Sequence, residues 1–158
     1  KTGNSVIRVM PNTPAQIGKG VSAISPGKNT SAADLTLAKN LLSASGIVVE
    51  VSEDHQDAVT ALSGSGPAYF FSFIEAMVSA GVKLGLTNEI ATQLAIGTIS
   101  GSAAMLKESG LDATTLRKNV TSPNGTTAAA LLVFTDKDLE KIVFDAMAAA
   151  KKRAQELA

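Results

Sequence analysis

Short β-branched or alternating runs fill the first third of the chain, and apolar residues at helical spacing fill the rest. Val6-Ile7-Arg8-Val9-Met10 reads as a strand closed by Pro11. Gly20-Val21-Ser22-Ala23-Ile24-Ser25 alternates and stops at the turn pair Pro26-Gly27. Ser31 precedes Ala32, Ala33 and Asp34, which predicts an N-cap for a helix with one apolar stripe of Leu35, Ala38, Leu41 and Leu42. Gly46 is the expected C′ residue of that helix. Ile47-Val48-Val49-Glu50-Val51 is the next strand. Strand, helix and strand in this order predict a parallel α/β sheet. Two or three strands cannot hide both faces of such a sheet, so residues 1–51 read as part of a larger α/β domain.

Residues 52–158 read as all helix. Gly66 and Pro67 fit an N-cap and an N1 proline for a helix running to about Leu84, with Gly85 ending it. Thr87 caps the next helix, Glu89 suits its first turn, and Ser109-Gly110 stops it. Asp112 caps a short helix through Leu116 and Arg117, and Thr126 or Thr127 caps another. Thr135 with Asp138 resembles a capping box, with Asp in place of Glu, ahead of a last helix to about Leu157. Lys151, Lys152 and Arg153 suit the C-terminal end of that helix dipole.

The middle helices carry little charge. From Ala58 to Leu106 the charged residues are Glu75, Lys83 and Glu89 alone. A helix apolar nearly all round is buried nearly all round, and a small helical unit cannot bury that many faces by itself. Gly81 and Gly85, then Gly97 and Gly101, are spaced four apart, which allows backbones to approach closely. An intertwined homo-oligomer is therefore expected over an Ala-rich monomeric bundle.

Composition narrows the function classes. The 158 residues carry 14 basic and 14 acidic side chains, a net charge of zero, which argues against a nucleic-acid or anionic-membrane partner. There is no Cys and one His, so a thiolate metal site, a His cage and a His-centred triad are all poorly supplied, and no metal is expected. The start has no apolar signal segment, and the apolar run Pro67 to Val82 is too short to span a membrane and contains Glu75. A soluble, cytoplasmic protein is the expectation. The chain begins at Lys1 rather than Met, which fits a fragment.

Four segments can carry chemistry. Leu62-Ser63-Gly64-Ser65-Gly66-Pro67 is a Gly-rich entry to a helix. It lacks the third Gly of a dinucleotide fingerprint and the Gly-Lys-Ser/Thr of a P-loop, so a tight turn is favoured over a phosphate cradle. Asn119-Val120-Thr121-Ser122-Pro123-Asn124-Gly125-Thr126-Thr127 is a polar loop whose hydroxyls and following helix start suit a carboxylate or phosphate, or else simple capping. Glu53, Asp54 and Asp57 form an acidic group that is either solvated or set beside a cationic ligand. His55 next to them receives no role. Met10-Pro11-Asn12-Thr13-Pro14 follows a strand, where Asn12 either meets a ligand or forms an Asx-type turn.

Together these segments resemble pyrroline-5-carboxylate reductase. The matching blocks are Arg8-Val9-Met10-Pro11-Asn12-Thr13-Pro14-Ala15, Asp57 through Tyr69 with its Ser63-Gly64-Ser65-Gly66-Pro67, Glu75-Ala76-Met77, and Leu116-Arg117 with Val120-Thr121-Ser122-Pro123 and Gly125-Thr126-Thr127. The resemblance implies an N-terminal Rossmann domain binding NADH or NADPH, followed by an all-helical dimerisation domain of the 6-phosphogluconate-dehydrogenase C-terminal type. Residues 1–51 are then the end of the Rossmann domain and 52–158 the dimerisation and substrate domain. The family reduces the cyclic imine Δ1-pyrroline-5-carboxylate to L-proline. By resemblance, Ser122, Thr126, Thr127 and Glu53 hold the substrate, Glu53 and Thr127 take part in catalysis, and Asn119 and Asn12 meet the cofactor. A carboxylate at Glu53 would favour the protonated iminium, the better hydride acceptor. The family's usual Ser-Pro-Gly-Gly reads Ser122-Pro123-Asn124-Gly125 here, and Asn tolerates the left-handed geometry that the loop needs.

Two other readings compete. A non-catalytic oligomerisation module would share the helical part. A hydroxy-acid dehydrogenase of similar layout would need a helical Lys, and neither Lys83 nor Lys107 sits in a suitable motif.

Overall fold

The computed structural model describes residues 3–157; Lys1, the non-Met start noted above, lies outside them. The chain is mainly helical with a small three-stranded sheet. It divides into two units. The first holds the residues up to Phe70 together with those from Phe144 onward, and the second holds Phe71–Val143.

The sheet is built from β1 (Ile7–Met10), β2 (Gly20–Pro26) and β3 (Gly46–Glu50), in that spatial order. β2 and β3 are parallel, joined through helix α1 (Ala32–Ser43), as the strand–helix–strand pattern predicts. β1 departs from that pattern and runs antiparallel to β2, with Val9 opposite Ile24. The link from Met10 to Gly20 holds only a 3-10 turn at Thr13–Ile17, too short for the crossover a parallel pair requires.

β2 is the buried strand, with Ser22, Ala23, Ile24 and Ser25 all enclosed. Successive side chains of a strand point to opposite faces, so both faces of β2 are covered. α1 packs on the neighbouring β3 and pairs Lys39 Nζ with Glu50 Oε2 at 2.7 Å. β2 itself is met by α2 (Gln56–Val59), where Gln56 Nε2 donates to Ser25 Oγ at 2.6 Å and Ser25 Oγ donates to the Val51 carbonyl at 2.9 Å.

α1 starts on a capping box. Ser31 Oγ accepts from the Asp34 amide, and Asp34 accepts from the Ser31 amide. Those bonds, first from the Ser31 backbone and then from its hydroxyl, with a further one from Ser5, hold the Asp34 carboxyl below its ordinary value. Gly46 does not serve as the C′ residue of α1, because the helix ends at Ser43 with Ala44 as its cap. Gly46 instead opens β3 at φ 143, directly opposite Gly20, where a side chain would run into the Gly20 backbone.

After β3 and a 3-10 turn at Glu53–His55, α2 leads into a π-helical turn at Thr60–Gly64 and then α3 (Gly66–Lys83). Gly66 is therefore the first residue of α3 and not its N-cap, and Ser65, a bend, separates it from the π-turn. Gly85 does end α3, at φ 102, with the Leu86 amide donating to the Gly81 carbonyl at 3.1 Å.

The second unit continues with α4 (Asn88–Glu108), α5 (Ala113–Asn119), α6 (Thr126–Asp136) and the start of α7 (Leu139–Glu156). Thr87 caps α4 through Ile90 and Asp112 caps α5 through Thr115, both as the sequence predicts. Two other caps differ. Gly125, not a threonine, precedes α6, and Asp138 at φ 53 rather than Thr135 starts α7, accepting from the Lys141 amide. Thr135 lies inside α6, where its hydroxyl donates to the Leu131 carbonyl. α3 and α4 meet at Gly81, where an added Cβ would come 3.1 Å from Ala91 Cβ. Gly97 and Gly101 face open space within the chain. Among the described residues no two helices of this unit pack broadly on one another. Phe71, Phe73, Leu94, Ile96, Leu132 and Val133 are exposed.

Candidate functional site

Asn12 and Glu53 belong to the first unit. Asn12 follows β1, whose run of apolar residues ends at Pro11. Its amide is engaged on both sides: Oδ1 accepts from the Val21 amide at 2.8 Å and Nδ2 donates to the Ser63 carbonyl at 3.2 Å. The predicted Asx-type turn is absent, since the side chain makes no capping bond to the turn that follows. Glu53 opens the 3-10 turn after β3 and pairs with Arg8 of β1, both side chains being substantially exposed. His55 Nδ1 lies 2.8 Å from Ser52 Oγ in the same turn.

Strand direction separates these two positions. Asn12 is bonded to Val21 at the start of β2. Glu53 pairs with Arg8, which sits opposite Ser25 near the end of β2. They lie at opposite ends of the small sheet, roughly 13 Å apart along the strand at about 3.3 Å per residue.

The Gly-rich segment is neither an open turn nor a phosphate loop. Its π-turn is closed by the Ser65 amide donating to the Thr60 carbonyl at 2.8 Å. The Ala68 amide near the start of α3 donates to the Ser65 carbonyl. Tyr69 Oη donates to the Ala61 carbonyl at 3.0 Å.

Asn119, Ser122, Thr126 and Thr127 belong to the second unit and fall on one short stretch. Asn119 ends α5, and its side chain is exposed with no hydrogen bond among the described residues. Asn124 takes φ 60, the left-handed geometry expected of it. That turn closes with the Gly125 amide donating to the Ser122 carbonyl at 3.1 Å. A Cβ at Gly125 would run into Ser122 Oγ and come 3.1 Å from the Ser122 carbonyl oxygen, so a side chain there would push the Ser122 hydroxyl out of its place. Thr126 and Thr127 are the first residues of α6. First-turn N–H groups have no acceptor inside their helix. Among the described residues the hydroxyls of Ser122, Thr126 and Thr127 have no partner either. The stretch therefore offers a cluster of donors at a positive helix end, which suits a carboxylate. α5 leads into it from a firm cap, where the Thr115 amide and then its hydroxyl hold the Asp112 carboxyl below the usual carboxylate range.

Residues 53–157 match the family model for pyrroline-5-carboxylate reductase dimerisation. The chain belongs to the pyrroline-5-carboxylate reductase family. It is 44% identical over 155 residues to the pyrroline-5-carboxylate reductase of Corynebacterium melassecola, covering 98% of this chain and 57% of that protein. The Pseudomonas aeruginosa reductase is 47% identical over 154 residues, covering 97% of this chain and 56% of its own length. The chain thus spans little more than half the length of these relatives. The solved reductase of Coxiella burnetii superposes with a TM-score of 0.96 at 38% identity, covering 99% of this chain and 58% of that one. A Plasmodium falciparum reductase solved with NADP bound has a TM-score of 0.90 at 36% identity, covering 97% of this chain and 62% of that one.

Three residues of this reductase-family chain escaped sequence reasoning about the site. Arg8 left a signal, being the one charge in an otherwise apolar strand, which demands a partner. Tyr69 and the buried Gln56 left none: one looks like a core aromatic, the other like a member of a solvated acidic run.

Proposed function

We propose that the protein carrying this chain reduces Δ1-pyrroline-5-carboxylate to L-proline, the last step of proline biosynthesis, with hydride from NADH or NADPH. Family membership supports the reaction class, and the Ser122–Thr127 stretch is the observation that carries the substrate assignment. The substrate is an anion at one end, and the α6 start concentrates N–H and hydroxyl donors that no chain group occupies. Thr127 holds the carboxylate through its N–H and hydroxyl, Thr126 and Ser122 add hydroxyl donors, and Asn119 offers its free amide to the cofactor. Bound NAD(P)H supplies a hydride to the imine carbon while the nitrogen takes a proton. The residues present fit only part of such a cofactor, because no Gly-rich dinucleotide fingerprint occurs in this sequence. The Asn12 role read from resemblance fits less well, since its amide is engaged on both sides, and the Glu53 carboxylate is already paired with Arg8 at the surface.

The fold class proposed is that of the 6-phosphogluconate-dehydrogenase C-terminal type following a Rossmann-type part, with residues 1–51 and 52–158 as the division. The functional state proposed is a homodimer or larger homo-oligomer working in the cytoplasm. Its exposed helix faces support the oligomer, and they equally suit the competing oligomerisation module. The deciding experiment is NAD(P)H oxidation driven by pyrroline-5-carboxylate in the full-length polypeptide. Turnover is expected; absence of any turnover in a folded oligomer would favour the module.

A further inference from the structure

A π-turn widens the helix by one residue and takes carbonyl groups out of the regular i to i+4 ladder. Two carbonyls of the turn at Thr60–Gly64 are caught by side chains from elsewhere: that of Ala61, whose α-helical donor Ser65 is bonded to Thr60, and that of Ser63, whose i+4 residue is Pro67 and has no N–H. Ala61 O accepts from Tyr69 Oη at 3.0 Å, and Ser63 O accepts from Asn12 Nδ2 at 3.2 Å. Gly64 lies against Met10, where an added Cβ would come 3.4 Å from the Met10 sulfur. Asn12 meanwhile accepts from the Val21 amide, so its amide bridges β2 and the turn. Asn12 thus sits where a ligand contact is expected, beyond the carboxyl end of β1, with its hydrogen-bonding groups already turned inward.

We infer that Asn12 is a positioning residue, one that acts with Tyr69 as a two-sided clasp on the π-turn, instead of a residue that touches cofactor. The wide turn sets where Ser63 lies and the angle at which α3 begins. Without Tyr69 the Ala61 carbonyl would compete for the Ser65 amide, and without Asn12 the Ser63 carbonyl, four residues before Pro67 and its missing N–H, would be left unpaired, so the turn would fluctuate. The clasp itself stands on geometry alone; its consequence for turnover rests on the reductase reading above.

The test compares N12D, N12S and Y69F in the full-length protein. Y69F removes one hydroxyl and nothing else. N12D keeps the acceptor for Val21 and loses the donor to Ser63. Two readouts are taken: hydrogen exchange at the Ser65 amide, which reports the π-turn bond, and steady-state kinetics. The clasp predicts at least about tenfold faster Ser65 exchange in both Y69F and N12D. It also predicts a lower kcat in both, with cofactor KM within about twofold of wild type. A direct cofactor contact predicts the opposite: KM for cofactor rises in N12D and N12S while Y69F is unaffected and Ser65 exchange stays at the wild-type rate. That second pattern overturns the inference. Exchange is measurable whether or not the protein turns over, so an inactive wild type counts against the reductase reading and leaves the clasp to be judged on exchange alone.

Discussion

A threonine in the first turn of a helix presents a backbone N–H and a hydroxyl to the same side of a ligand. Thr127 is such a residue, half-buried and without a partner for its hydroxyl among the described residues. A hydrogen bond to a charged group contributes about 1.5–3 kcal/mol. Thr127→Val, which keeps the shape and removes the hydroxyl, is therefore expected to lower kcat/KM for the imino acid by about 10–100-fold. Wild-type kinetics in this variant would remove Thr127 from the site. Glu53 leads to the reverse expectation. Exposed ion pairs contribute about 0–1 kcal/mol, so Glu53→Gln should shift urea stability by less than about 1 kcal/mol and leave turnover within about twofold. A loss beyond tenfold would return Glu53 to the chemistry. The difference between these two residues is a lesson in what a local pattern can hold. Ser122, Thr126 and Thr127 stand close in sequence, so their cluster is readable before folding. The pairing of Glu53 with Arg8 joins two strands' ends and leaves no trace in spacing.

Helix and strand limits were legible wherever a local device sets them. Ser31, Thr87 and Asp112 cap as expected because a cap needs only a side chain and the next few amides. The π-turn was not legible, because what stabilises it comes from Asn12 and Tyr69 outside the segment. Nor was the antiparallel β1, whose direction follows from a short link and not from its own residues. Two predictions belong here. The Asp112 carboxyl has a folded pKa below its ordinary 3.8. Its cap therefore contributes in full above that value and is lost as pH falls through the lower folded value. In acid unfolding, Asp112→Asn should lower stability above about pH 4 and converge on wild type at lower pH, which flattens the dependence; a deficit that does not shrink in acid would deny the carboxylate this role. Gly46→Ala adds a Cβ to a residue at φ 143 that already touches Gly20. It should destabilise by at least about 2 kcal/mol in denaturant melts, and a neutral effect would mean that β2 and β3 can part without loss.

At the scale of the whole chain the dominant fact is how much apolar surface its helices leave uncovered. Phe71 is 60% exposed and Leu94 55%, on helices whose charges are few. A folded protein seldom presents such faces to water, and a second copy is the partner that the family's dimerisation model supports. Leu94→Asp should convert the species seen in sedimentation from a dimer or larger assembly to a monomer with a lowered Tm; an unchanged mass would place the contact elsewhere. This scale was the most legible of all, because an apolar helix with nothing to cover it announces a missing surface whatever its detailed packing. The π-turn carries a consequence for how this sequence can change through time. A wide turn holds one residue more than an α-turn, so losing any single residue between Thr60 and Gly64 would heal the helix. Everything that α3 displays after that point would then swing by about 100°. Substitutions on its surface can drift one at a time, but length there is frozen, and an alignment gap in this short stretch would mark a lineage that had rebuilt its interfaces or lost them.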